Sequence, residues 1–322
     1  MPIPPRRGEP SAAPLTRRGW LVGTLVAGWG LGAVGRAGAD DAKEQTDIEA
    51  LARKAGLPPF RSSRTEHYFG IGDAPDRYRE QAMRIGKALA TAFEKHFRGK
   101  GFDVTLPKHR LTVVTLGGPG SYAAYLGEDP GQAVGGHYDL DTNRLVIFDF
   151  RPGAANLAAD PERINTLTLI HEATHQLTFN TGLLNRHGDV PLCLSEGLAM
   201  YGEVWRPAVR PPAGLPPLGA INTPRLQALA QAAAWIPLDR LLCDDEPLRA
   251  EATQQQAYAQ SWLWVHALLT NRASLPKFRA YLDAIRPRRD PKYRLDDATT
   301  HLGNLDRLDL TLQQAARRLI RA

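Results

Sequence analysis

Apolar and weakly polar side chains recur at helical spacing over residues 160–180, where Ile164, Leu167, Ile170, Thr174 and Leu177 fall on one stripe. Asp160-Pro161-Glu162 supplies an N-cap, a first-turn proline and a first-turn acid, and Asn180-Thr181-Gly182 offers a left-handed stop. The pattern therefore predicts a central, buried helix between these punctuation marks. Upstream, the period switches between 2 and 3.6. It predicts a strand over 65–71, a long amphipathic helix over 76–97 that buries Tyr78, Met83, Ile85, Leu89, Ala90 and Phe93, and a strand over 110–116. Gly117-Gly118-Pro119-Gly120 lacks the lysine and helix start of a phosphate loop and is expected to be a plain turn. A hairpin follows, with arms over 136–140 and 144–149 and a turn at 141–143. Pro191 can open a second helix, in which Glu196 and Glu203 share one side. Past Glu203, the proline-rich passage 206–217 is expected to form an irregular loop or lid, followed by helices over 226–234, 238–242, 251–270, 276–285 and 308–320.

Residues 1–39 stand outside this pattern. Thr16-Arg17-Arg18-Gly19-Trp20-Leu21-Val22 has the form of a twin-arginine export signal, followed by a glycine-diluted apolar run and by Ala37-Gly38-Ala39. Cleavage after Ala39 and an exported, periplasmic or extracellular, mature chain are expected, with no stable membrane anchor left behind. The run from Trp20 to Val34 is short against the ~20 residues that span a bilayer. Arg6, Arg7, Arg17, Arg18 and Arg36 against the single acid Glu9 place most of the formal +6 charge in this segment. The mature chain is therefore close to neutral, and nucleic acid is not implied. Residues 40–322 suffice for one large domain or two closely packed lobes. Cys193 and Cys243 are compatible with one disulfide without requiring it.

The candidate chemistry lies inside the predicted central helix, at His171-Glu172-Ala173-Thr174-His175. Imidazoles four residues apart project from one helical face and can share one small cation, beside which Glu172 stands. A catalytic zinc commonly takes three protein ligands and keeps one position for water. Glu196, 20 residues beyond His175 and set among Leu192, Leu194 and Leu198, is the expected third ligand. Cys193 is a weaker candidate, because a fourth ligand would close the site. The plainer alternative is two buried histidines satisfied by their neighbours.

His-Glu-x-x-His followed by Leu194-Ser195-Glu196-Gly197-Leu198-Ala199-Met200-Tyr201-Gly202-Glu203 resembles the gluzincin metallopeptidases, the group of thermolysin-like and aminopeptidase N-like enzymes. Together with Gln176-Leu177-Thr178-Phe179-Asn180-Thr181-Gly182-Leu183, it most resembles an uncharacterised family of exported bacterial gluzincin-like proteins. The resemblance is sharp over about residues 160–205 and departs at Cys193, where a tryptophan is usual. It implies an α+β fold: a zincin-like metalloprotease core of small mixed sheet and active-site helix over 40–205, and a mainly helical C-terminal lobe over 206–322 that completes a cleft. It also implies one Zn²⁺ per chain on His171, His175 and Glu196, with Glu172 as general base and a peptide or protein as substrate. By the same resemblance, an oxyanion donor comes from a downstream helix, Tyr258 first and His266 second, and the hairpin offers its edge to an extended substrate. Glu203 is expected to partner a histidine or to cap. His187 and Asp189 are expected to be solvated loop residues rather than partners of the site. An exported scaffold that keeps its metal without cleaving anything, and a hydrolase of another acyl bond such as a cell-wall peptide, stand as alternatives.

Overall fold

In the central strands, successive apolar side chains turn to opposite faces and both faces are covered. The computed structural model describes residues 41–128, 135–152, 160–207, 217–232 and 234–321. Among these, five strands form one mixed sheet: β1 (Arg61–Arg64), β2 (Tyr68–Gly72), β3 (Leu111–Leu116), β4 (Gly136–Asp139) and β5 (Arg144–Phe148), in the order β1-β2-β3-β5-β4. β2, β3 and β5 run parallel, and β1 and β4 are antiparallel edges. Tyr68, Leu111, Val113, Leu145 and Ile147 face α2 (Asp76–Gly99) and α4 (Pro161–Asn180) in the main core. Phe69, Ile71, Val114, Leu116, Val146 and Phe148 face the other way, onto Ile48 of α1 (Asp41–Lys54) and Tyr122 of α3 (Pro119–Leu126). This period-2 division, buried on both sides, is what parallel strands require.

The rest is helical: α5 (Leu192–Gly202), α6 (Thr223–Gln231), α7 (Leu238–Cys243), α8 (Glu246–Arg249), α9 (Gln254–Thr270), α10 (Leu275–Ile285), α11 (Arg294–Leu302) and α12 (Leu305–Arg321). The chain is thus a mixed α+β protein, with the helical C-terminal part packed through α9 onto α5. No described helix is long and apolar enough to cross a membrane. The expected export segment, and most of the expected loop at 206–217, lie outside the described residues.

Several elements differ from the pattern-based expectation. The strand expected over 65–71 begins only at Tyr68, because the Thr65 hydroxyl accepts from the Tyr68 amide and folds the chain back at residues 65–67, and the antiparallel β1 before that turn has no counterpart in the expectation. Pro119 starts a helix directly after the Gly117-Gly118 turn, so the glycine cluster is only half turn. The expected helix over 251–270 begins at Gln254, after the separate one-turn α8, and α11 has no counterpart in the expectation. Nor has α1, a largely polar helix held to the sheet by charge: the carboxylate of Glu44 receives two bonds from Arg144, at 2.7 and 2.9 Å, and Asp41 meets Arg64 and Arg110.

Candidate metal centre

α4 begins where its punctuation places it, with the Asp160 carboxylate accepting from the Glu162 amide, and it runs to Asn180 before Gly182 turns left-handed. His171 and His175 point from this helix to α5, which crosses it closely. A Cβ on Gly202 would lie 2.6 Å from Thr174 Oγ1 on α4, and one on Gly197 would lie 2.5 Å from the Ser261 carbonyl oxygen on α9. Both glycines therefore permit helix approaches that any side chain would prevent. Glu196, beside Gly197, is held between the two histidines by this packing.

His171, His175 and Glu196 each offer a ligand atom, and these atoms lie within 4.8 Å of one another. His171 Nε2 is 3.2 Å from Glu196 Oε2, and His175 Nε2 is 3.6 Å from Glu196 Oε1. Two ligands about 2.0–2.1 Å from a tetrahedral ion sit roughly 3.3 Å apart, so the spacing fits a small divalent cation. The opposite ring nitrogens are turned outward. His175 Nδ1 is 3.1 Å from Ser195 Oγ, and His171 Nδ1 faces Glu203 Oε1 at 3.4 Å, an ionic contact. Such partners fix ring orientation and aim Nε2 inward. Glu203 is itself held by Arg225, whose Nη2 and Nε donate at 2.7 and 3.2 Å, and by Asn222 Nδ2 at 2.6 Å.

The three cluster residues are at most 1 % exposed. His171 Nε2, His175 Nε2 and both Glu196 oxygens have no hydrogen-bond partner. Left so, each would forfeit about 1–3 kcal/mol, a sum comparable with a whole folding free energy of about 5–15 kcal/mol. Burial works against charge on His171, yet Glu196 and Glu203 outweigh it and push its pKa up to about 10. Burial likewise opposes ionisation of Glu196, but His175 and His171 hold its carboxyl down at about 2. The site thus demands positive charge at its centre, and a divalent cation satisfies all four orphaned atoms where a single proton cannot. The donors fit zinc and other borderline divalent ions alike, and they do not choose among them.

Glu172 stands one residue round the helix. Its Oε2 accepts from the Tyr138 amide at 2.9 Å, while its Oε1 is buried without a partner. Burial raises its pKa, against the pull of His171 and His175. The Tyr258 hydroxyl, on α9, is likewise buried and unpartnered. Burial and the charges of Glu196 and Glu172 push its pKa well above the usual value, which keeps it a donor. His266, the second choice, lies two turns further along α9, its ring 5.4 Å from that of Trp262 and 6.1 Å from that of Tyr201. Asp189 is taken up by Arg294 at 2.7 and 2.8 Å, and His187 sits in the adjacent loop with its amide donating to Asn185. Cys193 is buried and is not part of the clustered ligand set, burial pushes its thiol pKa up, and both cysteines are free.

Pattern reasoning missed Ser195, Arg225, Asn222 and the Tyr138 amide. Ser195 adjoins Glu196 in the same motif and was open to notice. Arg225 and Asn222 carry no local mark, and a backbone amide leaves none in any sequence. What the helices define is a buried site of two histidines and one carboxylate that is compatible with metal binding. Residues 165–289, from within α4 to just past α10, match a family described as "Protein of unknown function (DUF1570)". That span contains His171, His175, Glu196, Glu203, Arg225 and Tyr258. A comparison with curated proteins returned no match.

Proposed function

We infer that this chain is a zinc-dependent hydrolase of gluzincin type that acts on peptides, with residues 40–205 as a zincin-like catalytic core. The observation that carries the reading is the convergence of orphaned atoms. Two imidazole nitrogens and two carboxylate oxygens converge on one centre, and the unpartnered Glu172 Oε1 and Tyr258 hydroxyl belong to side chains within electrostatic reach of it. A purely structural site would give neither of the last two any duty. Their presence supports turnover over a scaffold.

His171, His175 and Glu196 would hold the zinc, which would supply a Lewis acid and lower the pKa of a water at the site toward about 7. Glu172 Oε1 takes the proton from the attacking water and returns it to the leaving amine. Tyr258 donates its hydroxyl hydrogen to the oxyanion that develops on the scissile carbonyl. β4 is an edge strand that pairs with β5 alone among the described strands, and its outward amide at Tyr138 faces Glu172. An extended peptide laid along that edge would bring its carbonyl to the base. The proposed place of action, outside the cytoplasm, rests on the twin-arginine-like segment alone.

The test is a digest of a mixed peptide library by zinc-loaded wild type and Glu172→Gln, with zinc measured in both. Cleavage by the wild type alone, at equal zinc, supports the reading. Equal zinc with cleavage by neither favours the scaffold.

A further inference from the structure

Glu172, Gln176 and Asn180 recur every four residues and so share one face of α4. That face meets the β4–β5 hairpin, while His171 and His175 meet α5. All three polar residues bond to the sheet side. Glu172 Oε2 accepts from the Tyr138 amide at 2.9 Å. Gln176 Nε2 donates to the carbonyls of Thr112 and Asn143, at 2.9 and 3.3 Å. Asn180 and Asn143 exchange side-chain amide bonds at 2.7 and 2.9 Å. The Tyr138 hydroxyl donates to Asn143 Oδ1 at 2.6 Å, and its ring stacks on Phe179 of α4 at 6.0 Å.

Asn143, at the hairpin turn, has φ +61°, and it is the one non-glycine residue in the left-handed region among the described residues. Asparagine tolerates this conformation better than most residues, at a cost that its side-chain bonds offset. A strained turn residue thus anchors Tyr138 to the end of the helix that carries Glu172, and the Tyr138 amide in turn holds Glu172.

We propose that Tyr138 and Asn143 are positioning residues for Glu172, an assignment that rests on reading Glu172 as the base. A carboxylate swings freely about its last torsion, which has no sharp minimum. Tying Oε2 to a backbone amide stops that swing and leaves Oε1 as the one oxygen free to take a proton. The amide can do this only if β4 is held in register on α4, and the Tyr138–Asn143–Asn180–Phe179 cluster holds it at a distance from the metal-binding atoms. Loosening the cluster therefore affects proton transfer and spares the metal.

The zinc-loaded full chain carrying Asn143→Gly, Tyr138→Phe or Asn143→Asp tests this, assayed on a quenched-fluorescence peptide chosen from those the wild type cuts in a mixed library. Glycine accepts the left-handed turn without strain, so Asn143→Gly removes the side-chain bonds and keeps the backbone. For Asn143→Gly and Tyr138→Phe, kcat falls on the order of tenfold while KM stays within about twofold and one zinc per chain is retained. Asn143→Asp keeps the acceptor for Tyr138 and loses no more than about threefold. Amide hydrogen exchange gives a readout independent of turnover. The Tyr138 amide, on the outer edge of β4, exchanges on the order of tenfold faster in Asn143→Gly than in wild type.

Unchanged kcat and unchanged exchange in Asn143→Gly, alongside an inactive Glu172→Gln, overturn the positioning role and leave the hydrolase reading standing. Zinc lost in step with kcat also overturns it, because the hairpin would then support the metal. No cleavage by the zinc-loaded wild type sinks the hydrolase reading and the positioning role together.

Discussion

Glu203 reaches His171 on the ring nitrogen opposite the one that faces Glu196: its Oε1 lies 3.4 Å from Nδ1, while Nε2 lies 3.2 Å from the Glu196 carboxylate. A buried carboxylate beside Nδ1, in ionic contact without a formed hydrogen bond, favours the proton on that nitrogen and leaves the Nε2 lone pair toward the cluster. Burial alone would protonate Glu203, but Arg225 and His171 hold its carboxyl well below the usual range. Glu203→Gln is therefore expected to weaken zinc binding by roughly 10- to 100-fold without abolishing it, as read by competition with a chromophoric chelator. Arg225→Met should move affinity in the same direction. His171→Ala and Glu196→Ala should instead lose stoichiometric metal outright.

Gly197 makes a second prediction, about packing. A methyl group at this position would lie 2.5 Å from the Ser261 carbonyl oxygen and 2.6 Å from a Val265 methyl carbon, both on α9. A carbonyl on a helix cannot rotate aside, so α5 would shift and carry Glu196 with it. Gly197→Ala should cost about 1–3 kcal/mol of stability in denaturant unfolding and lower zinc affinity in the same protein. A stabilised variant, as helix propensity alone would give, would contradict the close crossing.

Tyr258 separates donor chemistry from metal binding. Its hydroxyl is buried, unpartnered and under the charges of Glu196 and Glu172, and the guanidinium of Arg225 lies 5.8 Å from its ring centre. Tyr258→Phe deletes one oxygen and preserves the ring's packing. On the proposed mechanism, kcat falls roughly 100-fold or more with zinc content unchanged. His266→Asn, two turns further along α9 with its ring against Trp262 and Tyr201, should leave kcat within about threefold. Reversal of that order would move the oxyanion donor to His266.

The parts of the site that showed in the sequence are those carried by side chains at fixed helical spacing. His171 and His175 are one turn apart, Glu196 and Glu203 are two turns apart, and the glycines between them sit where helices cross. The α+β character and the sheet edge before α4 were legible for a similar reason, since short apolar and β-branched runs such as 111–116 and 144–148 mark strands buried on both faces. What escaped depends on partners distant in sequence. α1 lacks a broad apolar stripe and is held by Glu44 to Arg144, a hundred residues away. α3 was hidden by a Gly-Gly-Pro-Gly run in which the proline starts a helix instead of ending one. Arg225 and Asn222 reach the site by side-chain length across a loop, and Tyr138 acts through an amide that any residue but proline would supply.

His96 carries the pH prediction, away from the metal-binding atoms. Its ring is half-buried against Phe97, with Nε2 3.0 Å from the Tyr201 hydroxyl. Burial, with a smaller push from the Lys100 charge, lowers its pKa from 6.5 to about 4. In the unfolded chain it returns to about 6.5. Between these values the unfolded state binds a proton that the native state refuses, so stability rises with pH across the window. The contribution is fully present above about 6.5 and is lost as pH falls toward about 4. Solvent screening of the half-exposed ring reduces it to about 1–2 kcal/mol. His96→Gln keeps a polar group near Nε2 without a titrating ring, so wild type should lose somewhat more than half of that, about 1 kcal/mol, relative to the variant between pH 7.5 and 5. Metal loss at low pH affects both proteins equally and cancels in the difference. Urea unfolding of the zinc-loaded pair at the two pH values checks it, and a pH-independent difference would mean that His96 titrates normally in the folded chain.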